Sequence, residues 1–501
     1  MSDTKKTEES SHKQILRSSA IIGGASVLNI LIGLLRMKVV AVLLGPAGVG
    51  LIGILNNLMS AGSTVAALGF GNVGTRQIAQ ARGRDDQAAV DAARRALFWG
   101  TMVLALIGAG VFWLAKGIIA EHVLGDATLA TYVGWVSLGI ALTVAAGSQR
   151  ALLTGMRRIG DIARITITSS FASALVGIAA VYFFGEAGVV LLVISAPLAG
   201  FIISHIFVAK LPRLKTERTP LNKLSEQWVT LARLGTAFMV AGLSVTLGQL
   251  AVRSMVQQQL GTENLGYFQA AWAISMTYIG FVLSAMGTDY YPRLTAAIHD
   301  KETARRLVNE QAQVAILLAG PVLVAMLALA PWVIRLLYTE EFLPAVTVLR
   351  WQILGDALKV LSWPMGFIIL ACGRGTIFMA KEAAVMGVFV IATWLMLPIF
   401  GLEATGIAFF VMYAVNVPLL FVITRSLIGF SWSKEVKFDG TLLIVTALMV
   451  AIVGHFSDIS ALLLGMIAAV VMGLRSLVNL AQMAQLGGPL GKILAKVWRT
   501  R

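Results

Sequence analysis

Three cations inside long apolar segments are the residues of this sequence best suited to bind a ligand. Arg36 and Lys38 lie in the first apolar segment, about two turns before its end, and Arg253 lies at the corresponding place in the seventh. A charge is costly inside a bilayer, so such residues are candidates for function. The alternative is that these long side chains reach out to the membrane surface. Because guanidinium and ammonium groups bind anions, the three residues predict a site for an anionic ligand.

The tenth apolar segment is the most polar one. Asp356 and Lys359 are three residues apart, so they share a helix face and can form a buried pair that only fixes packing. Arg350 has no carboxylate at that spacing and is therefore the better candidate for a ligand contact. Asp289 lies near the end of the eighth segment, where a boundary anchor is the simpler interpretation.

Side-chain amides form a second polar group, and most of them belong to the first two segments of each half. Asn56 and Asn57 lie in the second segment, and Gln249 and Gln257 lie in the seventh. Amides can bind hydroxyl-rich ligands, but they also join neighbouring helices by hydrogen bonds. With the three cations, they predict a cavity for an anionic, hydroxyl-rich molecule.

The elements that must position these residues are membrane helices. Of 501 residues, 57% are hydrophobic and 13% are charged, whereas a soluble domain has about 25% charged residues. The apolar residues fall into fourteen runs that predict helices crossing a bilayer, of which the thirteenth (441–455) is short. The single cysteine, Cys372, excludes an internal disulfide. No nucleotide-binding loop, catalytic nucleophile or set of spaced metal ligands occurs, so we expect neither a cofactor nor an enzyme.

The loops between these runs alternate between two kinds. One kind is rich in Lys and Arg, and the other contains neither but carries acidic residues such as Glu121, Glu186 and Asp458. The positive-inside rule then places both termini in the cytoplasm. The net charge of +15 is therefore mainly an orientation signal, and no nucleic-acid partner is needed to explain it.

The order of the runs predicts an all-α polytopic membrane protein with two pseudo-symmetric six-helix lobes and two additional C-terminal helices. An offset of 216 residues aligns Leu44-Gly45 with Leu260-Gly261 and Gly50 with Gly266, as an internal duplication would. The predicted parts are a polar tail (1–14), an N-terminal lobe (15–209), a linker (210–227), a C-terminal lobe (228–424), a basic loop with two further helices (425–480) and a basic tail (481–501).

The sequence from Gly69 to Gly74 matches the G-x-G-x-x-G pattern of dinucleotide sites. That pattern needs a preceding strand in a βαβ unit, whereas here it follows a membrane helix. A helix break or a close helix contact explains these glycines better.

Residues 34–51, with the sequence LLRMKVVAVLLGPAGVGL, resemble the first-hairpin signature of the Wzx-type O-antigen and polysaccharide flippases, in the MATE-like MOP superfamily. The resemblance implies that the chain moves an undecaprenyl-pyrophosphate-linked oligosaccharide from the cytoplasmic to the periplasmic leaflet of the bacterial inner membrane. It also implies alternating access, coupling through Asp356 or Asp289, and possible polymerase and chain-length-regulator partners. The residues expected to bind substrate are Arg36, Lys38, Arg253, Arg350, Lys359, Asn56 and Gln249.

Two alternatives stay open within the same superfamily. Fourteen spans are typical of the related lipid II flippases, so a peptidoglycan precursor is a second candidate substrate. A drug or cation antiporter would share the fold, but it would need a carboxylate in the cavity, and the first helix has none. A polymerase or ligase would work in a large outer loop, and the predicted outer loops are short.

Overall fold

A computed structural model gives the fold for residues 2–211 and 221–484, which are the residues described here. Side chains are described from residue 23 onward, except at 221–226, 230, 234, 237–238, 241, 284–285, 287–289 and 484. Helices make up almost all of these residues, and no β-strand occurs among them. The predicted all-α class is confirmed.

Fourteen α-helices occur in the described residues, and two of them are much longer than the others. The first seven are α1 (Ser2–Ala67), α2 (Phe70–Gly83), α3 (Gln87–Leu114), α4 (Lys116–Ile119), α5 (Ala130–Gly155), α6 (Ile159–Phe184) and α7 (Val189–Ala209). The next seven are α8 (Leu221–Ala297), α9 (Lys301–Leu337), α10 (Ala345–Ala371), α11 (Gly375–Phe400), α12 (Glu403–Ile428), α13 (Lys434–Phe456) and α14 (Asp458–Ala484).

The two long helices, α1 and α8, are each broken at one glycine. Gly45 in α1 has φ 61° and ψ −165°, and Gly261 in α8 has φ 85° and ψ 173°. Glycine adopts positive φ without the steric cost that a Cβ imposes. The two breaks are 216 residues apart, so each predicted half starts with two helices joined by the same kind of break.

A second pair of glycines at the same offset lets two backbones touch. A Cβ added to Gly50 would lie 2.8 Å from the nitrogen of Gly266, and one added to Gly266 would overlap the backbone of Pro46. The segment after the break in α1 therefore packs directly against the segment after the break in α8. No larger residue fits at this contact without moving a backbone.

Ten segments of the described chain are long and apolar enough to cross a membrane. Two of them, Gly23–Ala67 and Ile159–Ala209, have 45 and 51 residues. A single crossing needs about 20 residues, so each is long enough for two. The chain is a multi-pass membrane protein, while the total of fourteen crossings and the orientation of the termini stay predictions.

Contacts divide the chain into two compact units, Met1–Gly266 (unit 1) and Tyr267–Arg501 (unit 2). A core cluster of unit 1 contains Phe70, Ile78 and Leu97 from α2 and α3. In unit 2 a core cluster contains Tyr290 and Met365 from α8 and α10. The division between the two units falls inside α8 and not in the predicted linker. The predicted boundaries of the two lobes therefore stay a prediction.

The glycines of the G-x-G-x-x-G sequence lie at a helix break. Gly69 has φ 68° in the short interruption between α1 and α2. A Cβ there would also overlap the backbone of Gly235 in α8. The interpretation as a break with a close helix contact is confirmed.

One cation lies outside the charge pattern expected of the outer loops. Lys116 begins α4 directly after α3 ends, inside the run (96–119) that hydropathy assigns to this span. Its ammonium group lies 4.3 Å from the centre of the Trp113 ring, a cation–π geometry. The predicted outer ends are therefore not entirely free of lysine and arginine.

Candidate functional site

Unit 1 brings together several of the predicted polar residues of α1 and α8. The amide nitrogen of Asn57 donates to Gln249 Oε1 at 3.4 Å, and Arg253 Nη1 donates to the backbone oxygen of Gln249 at 3.2 Å. Gln257 Nε2 donates to Thr262 Oγ1 at 2.9 Å. Residues 249, 253 and 257 are four apart, so they lie along one face of α8.

Three members of this group, the amide–arginine cluster (Asn57, Gln249, Arg253 and Gln257), are deeply buried, and Gln249 is half-buried. The exposed fraction is 4% for Arg253 and 9% for both Asn57 and Gln257. Asn57 Oδ1 and Gln257 Oε1 are buried and accept no hydrogen bond from any described residue. A buried acceptor without a donor is unfavourable, so these two oxygens suit a ligand that brings hydroxyl groups.

The other predicted residues of unit 1 lie on α1 at a similar depth. Arg36 and Lys38 precede the break at Gly45 by nine and seven residues, or about 13 and 10 Å along a helix. Arg253 precedes the break at Gly261 by eight residues, or about 12 Å. Arg36 and Lys38 are half-buried, and Asn56 is half-buried beside Asn57.

Unit 2 contains a second buried polar group centred on Asp356. Its Oδ2 accepts hydrogen bonds from Ser275 Oγ and Tyr278 OH, both at 2.6 Å. Asp356 Oδ1 and both polar atoms of Gln352, one turn earlier on α10, have no partner among the described residues. Two hydroxyl groups of α8 therefore bind Oδ2 of this carboxylate, while Oδ1 can take up a proton or accept another hydrogen bond.

The expected pairing of Asp356 with Lys359 does not occur as a direct ion pair between these described side chains. Lys359 Nζ lies 3.8 Å from Met276 Sδ and 5.7 Å from the centre of the Tyr413 ring. A spacing of three residues allows a pair but does not require one. Here Ser275 and Tyr278 donate to Asp356 Oδ2, and the Lys359 ammonium group lies beside Met276 and not at the carboxylate.

Arg350 binds the helical hairpin formed by α13 and α14. Its Nη1 donates to the backbone oxygen of Gly454 at 2.6 Å, and its Nη2 lies 2.8 Å from Asp458 Oδ1. A Cβ on Gly454 would lie 2.7 Å from Arg350 Cζ, so glycine is needed for the guanidinium to lie against α13. This packing role was not foreseen, because Asp458 is 108 residues away in the sequence.

A matching pair holds the opposite end of the same hairpin. Arg475 Nη2 in α14 lies 2.7 Å from Asp439 Oδ1 in α13, and Gln313 Nε2 in α9 donates to Asp439 Oδ2 at 3.3 Å. Asp439 is 4% exposed. The hairpin of the two C-terminal helices is therefore joined to α10 at one end, through Arg350, and to α9 at the other end, through Gln313.

The structure thus groups Gln249 and Arg253 in unit 1 with Asn57, and it places Arg350, Asp356 and Lys359 in unit 2. The side chain of Asp289 lies outside the described residues. The sequence analysis did not identify Ser275 and Tyr278, because the residues around a hydroxyl group in a membrane helix do not indicate which distant residue it binds.

Comparisons with known proteins agree with this fold. The sequence model of a family described as polysaccharide biosynthesis protein matches residues 39–347. The lipid III flippase of Escherichia coli (strain K12) is 23% identical over 421 residues, covering 80% of this chain and 96% of that protein. The Shigella flexneri lipid III flippase matches to the same extent.

Solved structures of two kinds share the architecture. A structure of the lipid II flippase MurJ in an inward closed conformation has a TM-score of 0.70 at 13% identity, covering 92% of this chain and all of the other. An inward-facing multidrug resistance transporter of the MATE family, in the MOP superfamily, has a TM-score of 0.66 at 18% identity, covering 80% and 94%. The family match extends over more than half of the sequence, so this chain belongs to the polysaccharide biosynthesis protein family.

Proposed function

We propose that this protein is a flippase that moves an undecaprenyl-pyrophosphate-linked oligosaccharide from the cytoplasmic to the periplasmic leaflet, for the synthesis of a surface polysaccharide. The proposal rests above all on one observation. A buried arginine, Arg253, lies in a cluster with the unpartnered amide oxygens of Asn57 and Gln257. Membership of the polysaccharide biosynthesis family and likeness to a protein named as a lipid III flippase support it.

The chemistry of the cluster fits both polar parts of such a substrate. A pyrophosphate accepts charge-assisted hydrogen bonds, which Arg253 would supply with Arg36 and Lys38 at the same depth. Sugar hydroxyl groups would donate to the oxygens of Asn57 and Gln257, and Asn56 and Gln249 would extend the amide surface. The lipid tail would stay in the bilayer.

We propose alternating access as the transport mechanism, in which movement of the predicted lobes exposes the bound head group to one membrane face at a time. Asp356 would carry a proton on its unpartnered Oδ1 while Ser275 and Tyr278 hold Oδ2. Lys359, Arg350 and Asp289 stay candidate residues for substrate or ion. Arg350 already binds Gly454 and Asp458, so a substrate would have to bind this guanidinium alongside these two contacts.

The setting proposed for this activity is the bacterial inner membrane, with both termini in the cytoplasm. A polysaccharide polymerase and a chain-length regulator would act on the product in the periplasm and are proposed as partners.

The experiment is deletion of the gene, followed by mass spectrometry of lipid-linked sugars and an assay of surface glycan. A complete but unpolymerised oligosaccharide-pyrophosphate lipid should accumulate as one surface polymer disappears. The wild type should reverse both effects, and Arg253→Gln should restore about a tenth or less of the polymer at equal protein level. Arg84→Gln, at an exposed position outside the cluster, is the matched control and should restore it fully.

Unchanged lipid-linked sugars and surface glycan, in a strain without a second flippase, would contradict the proposal. So would full activity of Arg253→Gln. Lipid accessibility to an impermeant label then separates a flipping defect from a polymerisation defect, since only the former leaves the lipid in the inner leaflet.

A lipid II flippase is the second candidate. The likeness to MurJ covers 92% of this chain, whereas that to the MATE transporter covers 80%. Accumulation of a peptidoglycan precursor after depletion would favour this candidate. A drug or cation antiporter, the remaining alternative, would change drug tolerance and leave both lipids unchanged.

A further inference from the structure

Unit 2 contains a cavity of about 650 Å³ that lies apart from the polar group around Asp356. Its walls come from the end of α9, the start of α10, the first residue of α12 and the turn between α13 and α14. All of these helix ends lie on the face that the charge pattern predicts to be periplasmic. The volume falls within the range of about 300–1,000 Å³ typical of ligand sites.

The cavity reaches into one leaflet only. Its wall on α10 runs from Val346 to Leu354, and its wall on α13 runs from Leu448 to Phe456. Eight residues of helix are about 12 Å long. Half of a hydrocarbon core is about 15 Å thick, so the cavity extends through most of one leaflet. A molecule that fills the cavity must therefore lie at the depth of the acyl chains of one leaflet.

The deep part of the lining is apolar, and charged side chains enter the lining toward the helix ends, beside apolar ones such as Phe456. Leu354, Leu448 and Ala451 form the deep part, whereas Arg335, His455 and Asp458 lie at or near the helix ends. This order matches a lipid, with its chain below and its head group above.

The cation at the rim that an anionic head group can reach is Arg335. Both carboxylates already have partners, because Asp458 pairs with Arg350 at 2.8 Å and Glu403 accepts from Trp351 Nε1 at 2.7 Å. Arg335 lies 3.9 Å from Glu340, and these side chains are 45% and 85% exposed. Because nearly half of the Arg335 side chain is exposed, a phosphate at the rim can reach its guanidinium.

We propose that this cavity binds one anionic glycerophospholipid of the bilayer, with its phosphate at Arg335 and an acyl chain against Leu354 and Leu448. The lipid fills the space between the hairpin of α13 and α14 and the helices α9 and α10. It is a bound component of unit 2 and not the transported molecule. The inference therefore does not depend on which lipid the protein moves.

The test measures phospholipid retained by the purified full-length protein. Protein in nonionic detergent is incubated with dioleoyl phosphatidylglycerol, washed, and analysed by native mass spectrometry. The wild type should retain about one phosphatidylglycerol per chain. Ala451→Trp, which fills the deep part of the cavity, should lower retention about fivefold. Met449→Trp is the matched control, since Met449 lies on the exposed face of the same helix and should leave retention unchanged.

A second variant keeps the test decisive if Ala451→Trp fails to fold. Arg335→Gln alters a half-exposed side chain and should lower retention of phosphatidylglycerol about tenfold, with a smaller effect on phosphatidylcholine. Equal retention by the wild type, Ala451→Trp and Arg335→Gln would overturn the proposal. Recovery of a polyprenyl phosphate from protein taken directly from cells, in place of a phospholipid, would also overturn it.

Discussion

Buried arginines occur in both units, but the two units use them differently. Arg253 in unit 1 donates to a backbone oxygen one turn earlier on its own helix. Arg350 in unit 2 donates to Gly454 and pairs with Asp458 on the hairpin of α13 and α14. Both are at least nine-tenths buried, with exposed fractions of 4% and 9%. The contacts of Arg350 with Gly454 and Asp458 join α10 to α13 and α14, whereas the contact of Arg253 with Gln249 lies within α8.

Close glycine contacts occur in both units, as at Gly406 in unit 2, and in unit 2 ion pairs also join helices. In unit 1 the close contacts use glycine, at Gly50 with Gly266 and at Gly69 with Gly235. In unit 2 the hairpin is held by Arg350 with Asp458 and by Arg475 with Asp439. Packing by glycine leaves polar side chains available for a ligand, while packing by ion pairs consumes them. This difference is why we assign substrate binding first to the amide–arginine cluster.

The largest expected effect concerns the glycine contact of unit 1. Gly266→Val should cost about 3 kcal/mol or more and abolish most folded protein, because the new side chain meets the backbone of Pro46, which cannot move aside. Thermal unfolding in detergent and the yield of monodisperse protein measure this. Gly280→Val is the control, since a Cβ at Gly280 meets nothing within 4 Å. Equal stability of the two variants would contradict the contact.

A smaller loss is expected at the ion pair of unit 2. Arg350→Ala should lower the free energy of unfolding by about 1–3 kcal/mol, since Gly454 loses a donor while Asp458, 54% exposed, is partly solvated by water. Arg253→Ala should have a smaller effect on the same unfolding curve. If Arg253→Ala proves the more destabilising variant, the contrast between the two arginines is wrong.

The smallest effect concerns Lys116, a cation of unit 1 that lies over an aromatic ring. Lys116→Gln should cost about 0.5–1 kcal/mol, because it removes the contact 4.3 Å above the Trp113 ring. Lys116→Arg should retain most of it. Unfolding of both variants, followed together with tryptophan fluorescence, measures the difference. A Gln variant as stable as the Arg variant would show that the ring contributes nothing.

The sequence predicts the features that depend on local pattern. The helices follow from apolar runs, and the 216-residue offset aligns the two glycines, Gly45 and Gly261, at which α1 and α8 are broken. The same offset placed Arg253 at the depth of Arg36 and Lys38.

Features that depend on distant residues could not be predicted in this way. The partners of Asp356 are Ser275 and Tyr278, which are 81 and 78 residues away, and Lys359 is not among them. The partner of Arg350 is 108 residues away. Spacing along one helix shows which side chains can meet, but tertiary packing decides which of them do.

Transport by purified protein tests the central claim most directly. Wild type, Arg253→Gln and Arg84→Gln would be reconstituted into liposomes with an oligosaccharide-pyrophosphate lipid, and the lipid reaching the opposite leaflet would be counted with an impermeant label. We predict transport by the wild type and by Arg84→Gln, and a rate at least about tenfold lower for Arg253→Gln, with unchanged thermal stability. Equal rates for Arg253→Gln and the wild type, or no transport above protein-free liposomes by stable wild-type protein, would contradict the account.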